Sequence, residues 1–594
     1  MFFSQAERYA ERPLYRFFRD GKWRTMSWRA ARERVRDIGC GLNARGVSAG
    51  DRVAMYFPNR VEWCLADWAN ICIGALTVPI YASSTAEQAA HILSHSGATA
   101  LFIDSADKLK KLGGSLAGLR LIVVVDGGVP KDMPPSFPPV VALADLEGEG
   151  RNSARGAEVF DKAAAALGPE HDLTIIYTSG TTGEPKGVLS THRHYLFMLE
   201  AAAAAIPCGA EDANMLFLPL AHSLGRLEHF FVVSQGLTCG LARSLETIAK
   251  DLAEIRPTIL ISVPRVYENA YARIRARADA SGGLRRAVFR CSIAIGARWS
   301  RYQSAGKPIP APLGLGRRIA SRLVFAHIQA AFGGRLRFAV SGGAALAEEV
   351  ARFFHAVGIL ILQGYGLTES STVSHVNRPW HYKFGTVGES LPGVECRTAD
   401  DGEILLRGPN IMKGYYRDPE STRAAVDAEG WLHTGDIGEI DAEGFLTITD
   451  RKKDLIVTSG GKKVAPQMIE NLLKADPLIE EAFVLGDGER HLIALVTLDR
   501  ARLAEWAETT GDKTSLEDAA TNPRVQAFVK EKIRAVNKRL AAYESVRDFR
   551  ILPHSFSMER AEVTPTLKLR RQIIEERYKD IIEDMTRKPR FDAR

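Results

Sequence analysis

Seven short apolar runs recur through the first three-quarters of the chain: "RVAMYF", "LTVPIY", "ALFID", "LIVVVD", "LTIIYTSG", "TILISVP" and "LRFAVSGG". Most are followed by helix-patterned segments such as "TAEQAAHILSHS". Runs of this length without polar alternation suit strands buried on both faces. Such strands need helices to carry the chain back across the sheet, so the alternation predicts an α/β class of layered, mostly parallel sheets. After Gly385 the texture changes. "GTVGESLPGVECR", "GEILLRGPNIM" and "GWLHTGDIGEIDAEGFLTITDR" are short strands broken by turns such as "DAEG", as in a small antiparallel or barrel-like unit. Beyond "DRKKDL" the pattern becomes α+β: helix "APQMIENLLKA", strands "IEEAFVLGD" and "HLIALVTLD", and a long helix "NPRVQAFVKEKIRAVNKRLA". The expected organisation is a large N-terminal domain over 1–449, a hinge at 450–454 and a small mobile α+β domain over 455–594.

With 594 residues, 46% hydrophobic and 25% charged, the chain suits a multidomain globular protein with a large core. Its seven cysteines are scattered, with no CxxC pair, which argues against a disulfide framework or zinc site and fits a reducing compartment. The N-terminus "MFFSQAERYAERPLYRFF" carries charges inside any would-be apolar stretch, so it does not read as a signal peptide. No run of 18 apolar residues occurs. A cytoplasmic protein, free or on the inner face of a membrane, is expected.

The stretch "YTSGTTGEPKGV", Tyr177 to Val188, looks like a phosphate loop yet breaks the Walker A rule. Lys186 falls at the right distance from Gly180, but Pro185 replaces the glycine before it and Gly187 the hydroxyl after it. Glycines let backbone N–H groups turn toward an anion, and serine and threonine hydroxyls add donors. Lys186 supplies a point charge.

The stretch resembles the signature of adenylate-forming enzymes: acyl-CoA synthetases, luciferases and peptide-synthetase adenylation domains. Further motifs of that family follow in order: "SGGAAL" (341–346), "GYGLTES" (364–370), "GWLHTGD" (430–436), "DRKKDLIVTSGGKKVAP" (450–466) and "TPTLK" (564–568). The resemblance covers nearly the whole chain and implies ATP, Mg2+ and CoA. A carboxylate attacks the α-phosphorus of ATP, pyrophosphate leaves, and an acyl-AMP forms; two anions must approach, so fixed cations and donors are needed. By resemblance, Ser179, Gly180, Thr181, Thr182, Gly183 and Lys186 cradle the leaving phosphates, and Glu369 with Thr178 binds Mg2+. Tyr365, between Gly364 and Gly366, stacks on adenine opposite Gly343 and Ala344, and Thr368 reaches the α-phosphate. Asp436 accepts from the ribose hydroxyls, with Arg451 close by. Lys568 is the implied catalytic lysine, bridging carboxylate and ATP, although "VTPTLKLRRQ" in isolation also reads as a basic C-terminal face.

The family's second step, thioester formation, is reached by rotating the small domain. Lys453 matches the hinge position, and Ser459, Gly460 and Gly461 would line the tunnel for CoA. Members often carry an aromatic or acidic residue where this chain has Lys462. The segments "ISVPRVYENAYARI" and "FLPLAHSLGRLEH", with the insert from Gly306 to Leu346, resemble the long-chain fatty acyl-CoA synthetase branch. There His222 matches an active-site histidine and Tyr267 an aromatic that gates the acyl tunnel. The implied activity is ligation of a long-chain fatty acid to CoA. The alternatives are an acyl-AMP ligase that loads a carrier protein and a non-catalytic nucleotide sensor.

Charge is uneven. The formal total is +7, yet residues 280–347 hold eleven Lys/Arg and no Asp or Glu. Leu284, Val288, Cys291, Ile295, Trp299 and Tyr302 follow a helical 3–4 spacing with Arg285, Arg286, Arg290 and Arg301 off the stripe. A basic amphipathic helix of this kind suits an anionic lipid surface across 284–337; core packing with a solvated basic back is the competing reading. The segment lacks a recognised nucleic-acid module, and no nucleic-acid partner is expected.

Overall fold

In the computed structural model of the chain, the described residues are 1–116, 118–129, 137–178, 185–476, 478–511, 514–557, 559–563 and 569–587. All seven apolar runs contain strands, and they divide between two large mixed sheets. One has eight strands, with Arg52–Tyr56, Leu76–Pro79, Ala100–Ile103, Leu121–Val124 and Asp172–Thr178 at its centre. The other has nine, including the parallel series Ala213–Leu216, Ile259–Ser262, Phe338–Ser341 and Ile361–Tyr365. Helices pack between and around the sheets. Helix Ala86–Ser96 shows how local chemistry sets such an element. Thr85 and Gln88 close a reciprocal capping box at its start, and Gly97, at φ +64°, ends it in the left-handed region.

Two helices crossing between the sheets are pinned by charge. Arg226, on helix Ser223–Gln235, meets Asp67, on helix Val61–Cys72, through Nη2 at 2.6 Å and Nε at 3.1 Å, with both side chains fully buried. The guanidinium also donates to Thr174, on the strand that leads to the glycine-rich loop.

After Gly385 the chain takes the antiparallel form of the expected unit. Strands Glu395–Thr398, Glu403–Arg407, Leu432–Ile440 and Leu446–Arg451 make one four-stranded sheet. From Ile456 onward the chain builds its own hydrophobic clusters, on both faces of a three-stranded sheet that includes Ile479–Leu485 and Leu492–Leu498.

The basic segment departs from the core-packing reading of its apolar stripe. Helix Gly283–Ser304 forms, but Leu284 is 79% exposed and the Leu284-to-Tyr302 stripe is not the buried face. The buried positions are Ser292, Gly296 and Ser300. These small residues let the helix approach Glu348–Ala356 closely: a Cβ on Gly296 would lie 2.6 Å from the Ala356 carbonyl oxygen. Ser300 Oγ lies 2.7 Å from His355 Nδ1. Close approach is bought by small volume here, which a hydropathy pattern does not register.

Candidate active site

Four adjacent parallel strands of the nine-stranded sheet end side by side, and the segments leaving their carboxyl ends hold seven of the expected residues: His222, Tyr267, Gly343, Ala344, Gly366, Thr368 and Glu369. Ala213–Leu216 leads to His222, Ile259–Ser262 to Val263 and the helix of Tyr267, Phe338–Ser341 to Gly343 and Ala344, and Ile361–Tyr365 to Gly366 and Thr368. The crevice outside the carboxyl ends of parallel strands is where open α/β sheets bind ligands. Close approach explains one glycine there and a left-handed backbone the other. A Cβ on Gly366 would lie 2.1 Å from the Thr372 carbonyl oxygen, and Gly343 sits at φ +82°.

Tyr365 donates its hydroxyl to Asp436 Oδ2 at 2.6 Å, and Arg451 Nε meets Asp436 Oδ1 at 3.1 Å. Asp436 and Arg451 are register partners on neighbouring strands, which sets that pair geometrically. Burial, with Asp436 beside it, pushes the Tyr365 phenol well above its ordinary value, so it stays a donor. The result is an aromatic face next to an oriented carboxylate, a surface suited to a base and a diol.

The glycine-rich loop joins two antiparallel strands, Asp172–Thr178 and Lys186–Thr191, with Thr178 opposite Lys186. A Walker A loop runs from strand to helix; this one runs from strand to strand, which is the structural sense of its broken rule. Gly187 is required because a Cβ there would meet Ile175 Cγ2 at 2.7 Å and Tyr177 Cζ at 3.2 Å. Ser179, Gly180, Thr181, Thr182 and Gly183 lie outside the described residues, as does Lys568.

Lys186 Nζ donates to Ser421 Oγ at 2.6 Å and lies 5.2 Å from the centre of the Tyr415 ring. The Tyr415 hydroxyl donates to Glu369 Oε1 at 2.9 Å. One tyrosine therefore separates the cation from the carboxylate. Glu369 has Oε1 engaged by Tyr415, and among the described residues no three His, Cys, Asp or Glu side chains gather as a metal cage. That donor set fits a hard cation that takes most of its ligands from phosphate oxygens and water. Thr368 Oγ1 is 3.3 Å from Ser223 Oγ, at the start of the His222 helix. His222 caps that helix: its Nδ1 accepts from the Leu224 backbone N–H at 3.1 Å. Tyr267 is fully buried, and its hydroxyl donates to the Val340 carbonyl at 3.0 Å.

Lys452 is bound to Asp401 at 2.7 Å and Glu403 at 2.8 Å, and its neighbour Lys453 is exposed. Asp450 Oδ2 accepts at 3.2 Å from the backbone N–H of Gln467, in the first turn of helix Pro466–Lys474. Burial raises the Asp450 carboxyl to about 7, against the two backbone donors that lower it. Ser459, Gly460 and Gly461 form an exposed turn tied to its own domain, where Ser459 N–H donates to the Glu489 carbonyl at 2.9 Å. Sequence reading missed Tyr415 and Ser421. Tyr415 lies on the short strand Gly414–Tyr415 that pairs with Lys186–Thr191 and Ser421 on the helix after it, Pro419–Ala425, and nothing in "GYYRDPEST" alone marks them.

A model of the AMP-binding enzyme family matches residues 2–416, and a model of the AMP-binding enzyme C-terminal domain matches 453–589. The chain is 36% identical over 577 residues to the long-chain-fatty-acid–CoA ligase FadD15 of Mycobacterium tuberculosis, covering 96% of this chain and 94% of that one. It is 32% identical to the peroxisomal long chain acyl-CoA synthetase 6 of Arabidopsis thaliana, covering 95% of this chain and 82% of that one. Among solved structures, the anthranilate CoA ligase AuaEII in complex with anthranoyl-AMP superposes with a TM-score of 0.73 at 20% identity, over 98% and 97% of the two chains. A Mycobacterium tuberculosis fatty acyl CoA synthetase gives 0.61 at 23% identity over 98% of each. At these identities the structures speak to the fold.

Proposed function

The chain belongs to the AMP-binding enzyme family, and from that premise we propose that it activates a long-chain fatty acid with ATP to an acyl-AMP and then transfers the acyl group to CoA. The observation that carries the reading is the Tyr365–Asp436–Arg451 constellation facing the loops at the strand ends, in a chain that resembles long-chain fatty acid–CoA ligases along nearly its full length.

In the proposed reaction Tyr365 stacks on adenine with Gly343 and Ala344 behind it, and Asp436 exchanges the Tyr365 hydroxyl for the ribose hydroxyls. Arg451 orients the carboxylate through its Nε contact with Oδ1. Lys186 leaves Ser421 for the leaving phosphates, assisted by the hydroxyls of 179–182. Mg2+ would be held by Glu369 and Thr178 and would neutralise phosphate charge. Lys568 brings the charge that lets carboxylate and α-phosphate meet. The hinge is assigned to 450–454 with Lys453 as pivot, and Ser459, Gly460 and Gly461 to the CoA tunnel. His222 orients the loop at Thr368 through its helix, and Tyr267 closes the acyl end. The test is a panel of acids of graded chain length with ATP and CoA, reading pyrophosphate and acyl-CoA. Both products with acids of fourteen to eighteen carbons are expected. Pyrophosphate with acyl-AMP that no CoA discharges would favour a carrier-loading ligase, and no pyrophosphate with any acid a nucleotide sensor.

A peripheral lipid contact is part of this proposal, moved from the Leu284 stripe to the helix after it. Helix Ala311–Ala320 runs through a π turn, Ser321–Phe325, into Ala326–Ala331. The wider turn keeps Ala320, Phe325 and Ile328 on the buried side. Leu315, Ile319 and Leu323 point outward at 61%, 53% and 57% exposure, with exposed Arg318 and Arg322 between them. An apolar ridge flanked by arginines, in a segment without acids, complements an anionic bilayer surface. No described helix is long and apolar enough to cross a membrane. Ile319→Glu with Leu323→Glu should cut binding to phosphatidylglycerol vesicles at least tenfold, read by co-sedimentation. Undiminished binding overturns the contact.

A further inference from the structure

Helix Pro264–Asp279 starts at the lip of the site. Val263, immediately before it, packs toward Gly343, with its Cγ1 3.7 Å from where a Cβ on that glycine would lie. Two residues on, Arg265 Nη1 meets Glu481 Oε1 at 2.7 Å, and Nη2 meets Glu480 Oε1 at 3.3 Å. Both acids lie on strand Ile479–Leu485, in the part of the chain with its own cores. Around them the charges continue. Lys474 Nζ donates to Glu481 Oε2 at 3.2 Å, and Ser555 donates its hydroxyl to Glu480. Glu268, one turn after Arg265, is deep enough that burial pushes its carboxyl up, while Lys474 and Arg265 pull it down.

The two sides of this network have separate hydrophobic clusters. The ion pairs join residues 216 and 215 positions apart, across the pivot, between units with separate hydrophobic clusters. What they fix is the placement of one domain on the other. The placement has a direction. Glu480 is bonded to Ser555, on the chain run that reaches the Val563–Leu569 bridge, and that bridge encloses Lys568 in sequence. The Ser459–Gly461 turn, by contrast, is exposed, with the Ser459 N–H bonded to the Glu489 carbonyl of its own domain.

We propose that Arg265 is a positioning residue for the first half-reaction: with Glu480 and Glu481 it forms a latch that holds the C-terminal domain in the adenylating arrangement and opens before thioester formation. The proposal rests on the two-step reading above. A fork-shaped guanidinium bridging two adjacent carboxylates is directional enough to select one domain placement. It remains partly exposed, which keeps it weak enough to release in each cycle.

The experiment is charge reversal and rescue on the full chain, with two assays: pyrophosphate release from ATP and palmitate, and acyl-CoA formation from chemically made palmitoyl-AMP and CoA. Arg265→Glu places a third acid against Glu480 and Glu481, so pyrophosphate release should fall about tenfold while thioester formation from acyl-AMP stays within twofold of wild type. Arg265→Glu combined with Glu481→Arg should restore most of the lost rate, which a merely structural role of either side chain would not do. Equal loss in both assays, loss confined to the thioester assay, no loss at all, or failure of the reversed pair to rescue each overturns the latch. Wild-type protein inactive in both assays would overturn the two-step reading instead, so the two failures are distinguishable.

Discussion

Replacing Lys568 by alanine is expected to slow pyrophosphate release from ATP and a long-chain fatty acid by about a hundredfold to a thousandfold, the range for losing one preorganised transition-state donor. The charge is needed only while carboxylate and α-phosphate come together, because afterwards the acyl-AMP carries less negative charge than its parents. The same variant, supplied with acyl-AMP, should therefore form the thioester at nearly the wild-type rate. Lys453→Pro should show the converse. Proline fixes φ at the pivot and restricts the residue before it. Lys452 is anchored to Asp401 and Glu403 on one side of the proposed pivot, so the restriction would fall on the proposed rotation. Adenylation should survive and thioester formation should fall. Loss of both half-reactions in Lys568→Ala, or of neither, would show that this lysine does not work in the first step alone.

These two substitutions and the Arg265 reversal probe the proposed rotation from three sides: the group it would deliver, its proposed pivot, and the contact proposed to hold the delivery position. They separate cleanly because each touches a different physical quantity. Lys568→Ala removes charge at the reacting atoms. Lys453→Pro removes conformational freedom and leaves the site's charges in place. Arg265→Glu changes the relative free energy of two domain placements, so its effect should be the smallest of the three and the only one that a second charge reverses.

How far the sequence alone reaches depends on which physical property a residue uses. Strands buried on both faces announce themselves as apolar runs, and all seven appear. Residues of the turns at strand ends were legible because glycines and hydroxyls in such turns are chosen by backbone geometry, which is local; Gly343 at φ +82° and Gly366 against Thr372 are examples. Partnerships made through space were not. Tyr415 lies between Lys186 and Glu369 because a two-residue strand pairs with Lys186–Thr191, and that pairing leaves no periodic trace. The basic helix misled for a related reason. Hydropathy marked Leu284 and its successors, but contact was decided by the small volumes of Ser292, Gly296 and Ser300. His222 was read as an active-site residue, and its ring is found capping a helix whose first residue, Ser223, lies near Thr368. Arg265 went unremarked in "SVPRVYENAY", since nothing near it in sequence reveals two acids on a strand over two hundred residues away.

The least legible group carries the largest expected effect on stability. Asp67 and Arg226 are 159 residues apart, both fully buried, and joined through two oxygens of one carboxylate. Asp67→Ala would strand a guanidinium in the core with Thr174 as its remaining named polar partner. Breaking a buried pair from one side costs about 3–5 kcal/mol, because the charge left behind has no water to turn to. Loss of that size is expected in the urea midpoint of the transition that includes the N-terminal core, since a chain with separate cores need not unfold in one step. Removing both charges should cost far less. Asp67→Leu with Arg226→Met replaces the pair by apolar groups of similar reach, and such exchanges are often neutral or stabilising. Activity should nevertheless fall in the double variant. Arg226 sits on the helix capped by His222, whose first residue lies near Thr368, and Thr174 on the strand that ends at Thr178, so the pair ties these two edges of the proposed site together. A stable but slow double variant would assign the pair to alignment of the site. A double variant as unstable as Asp67→Ala alone would instead show that the stabilisation comes from packing around Arg226, including the Phe230 ring 5.2 Å from its guanidinium carbon, and little from the charge pairing itself.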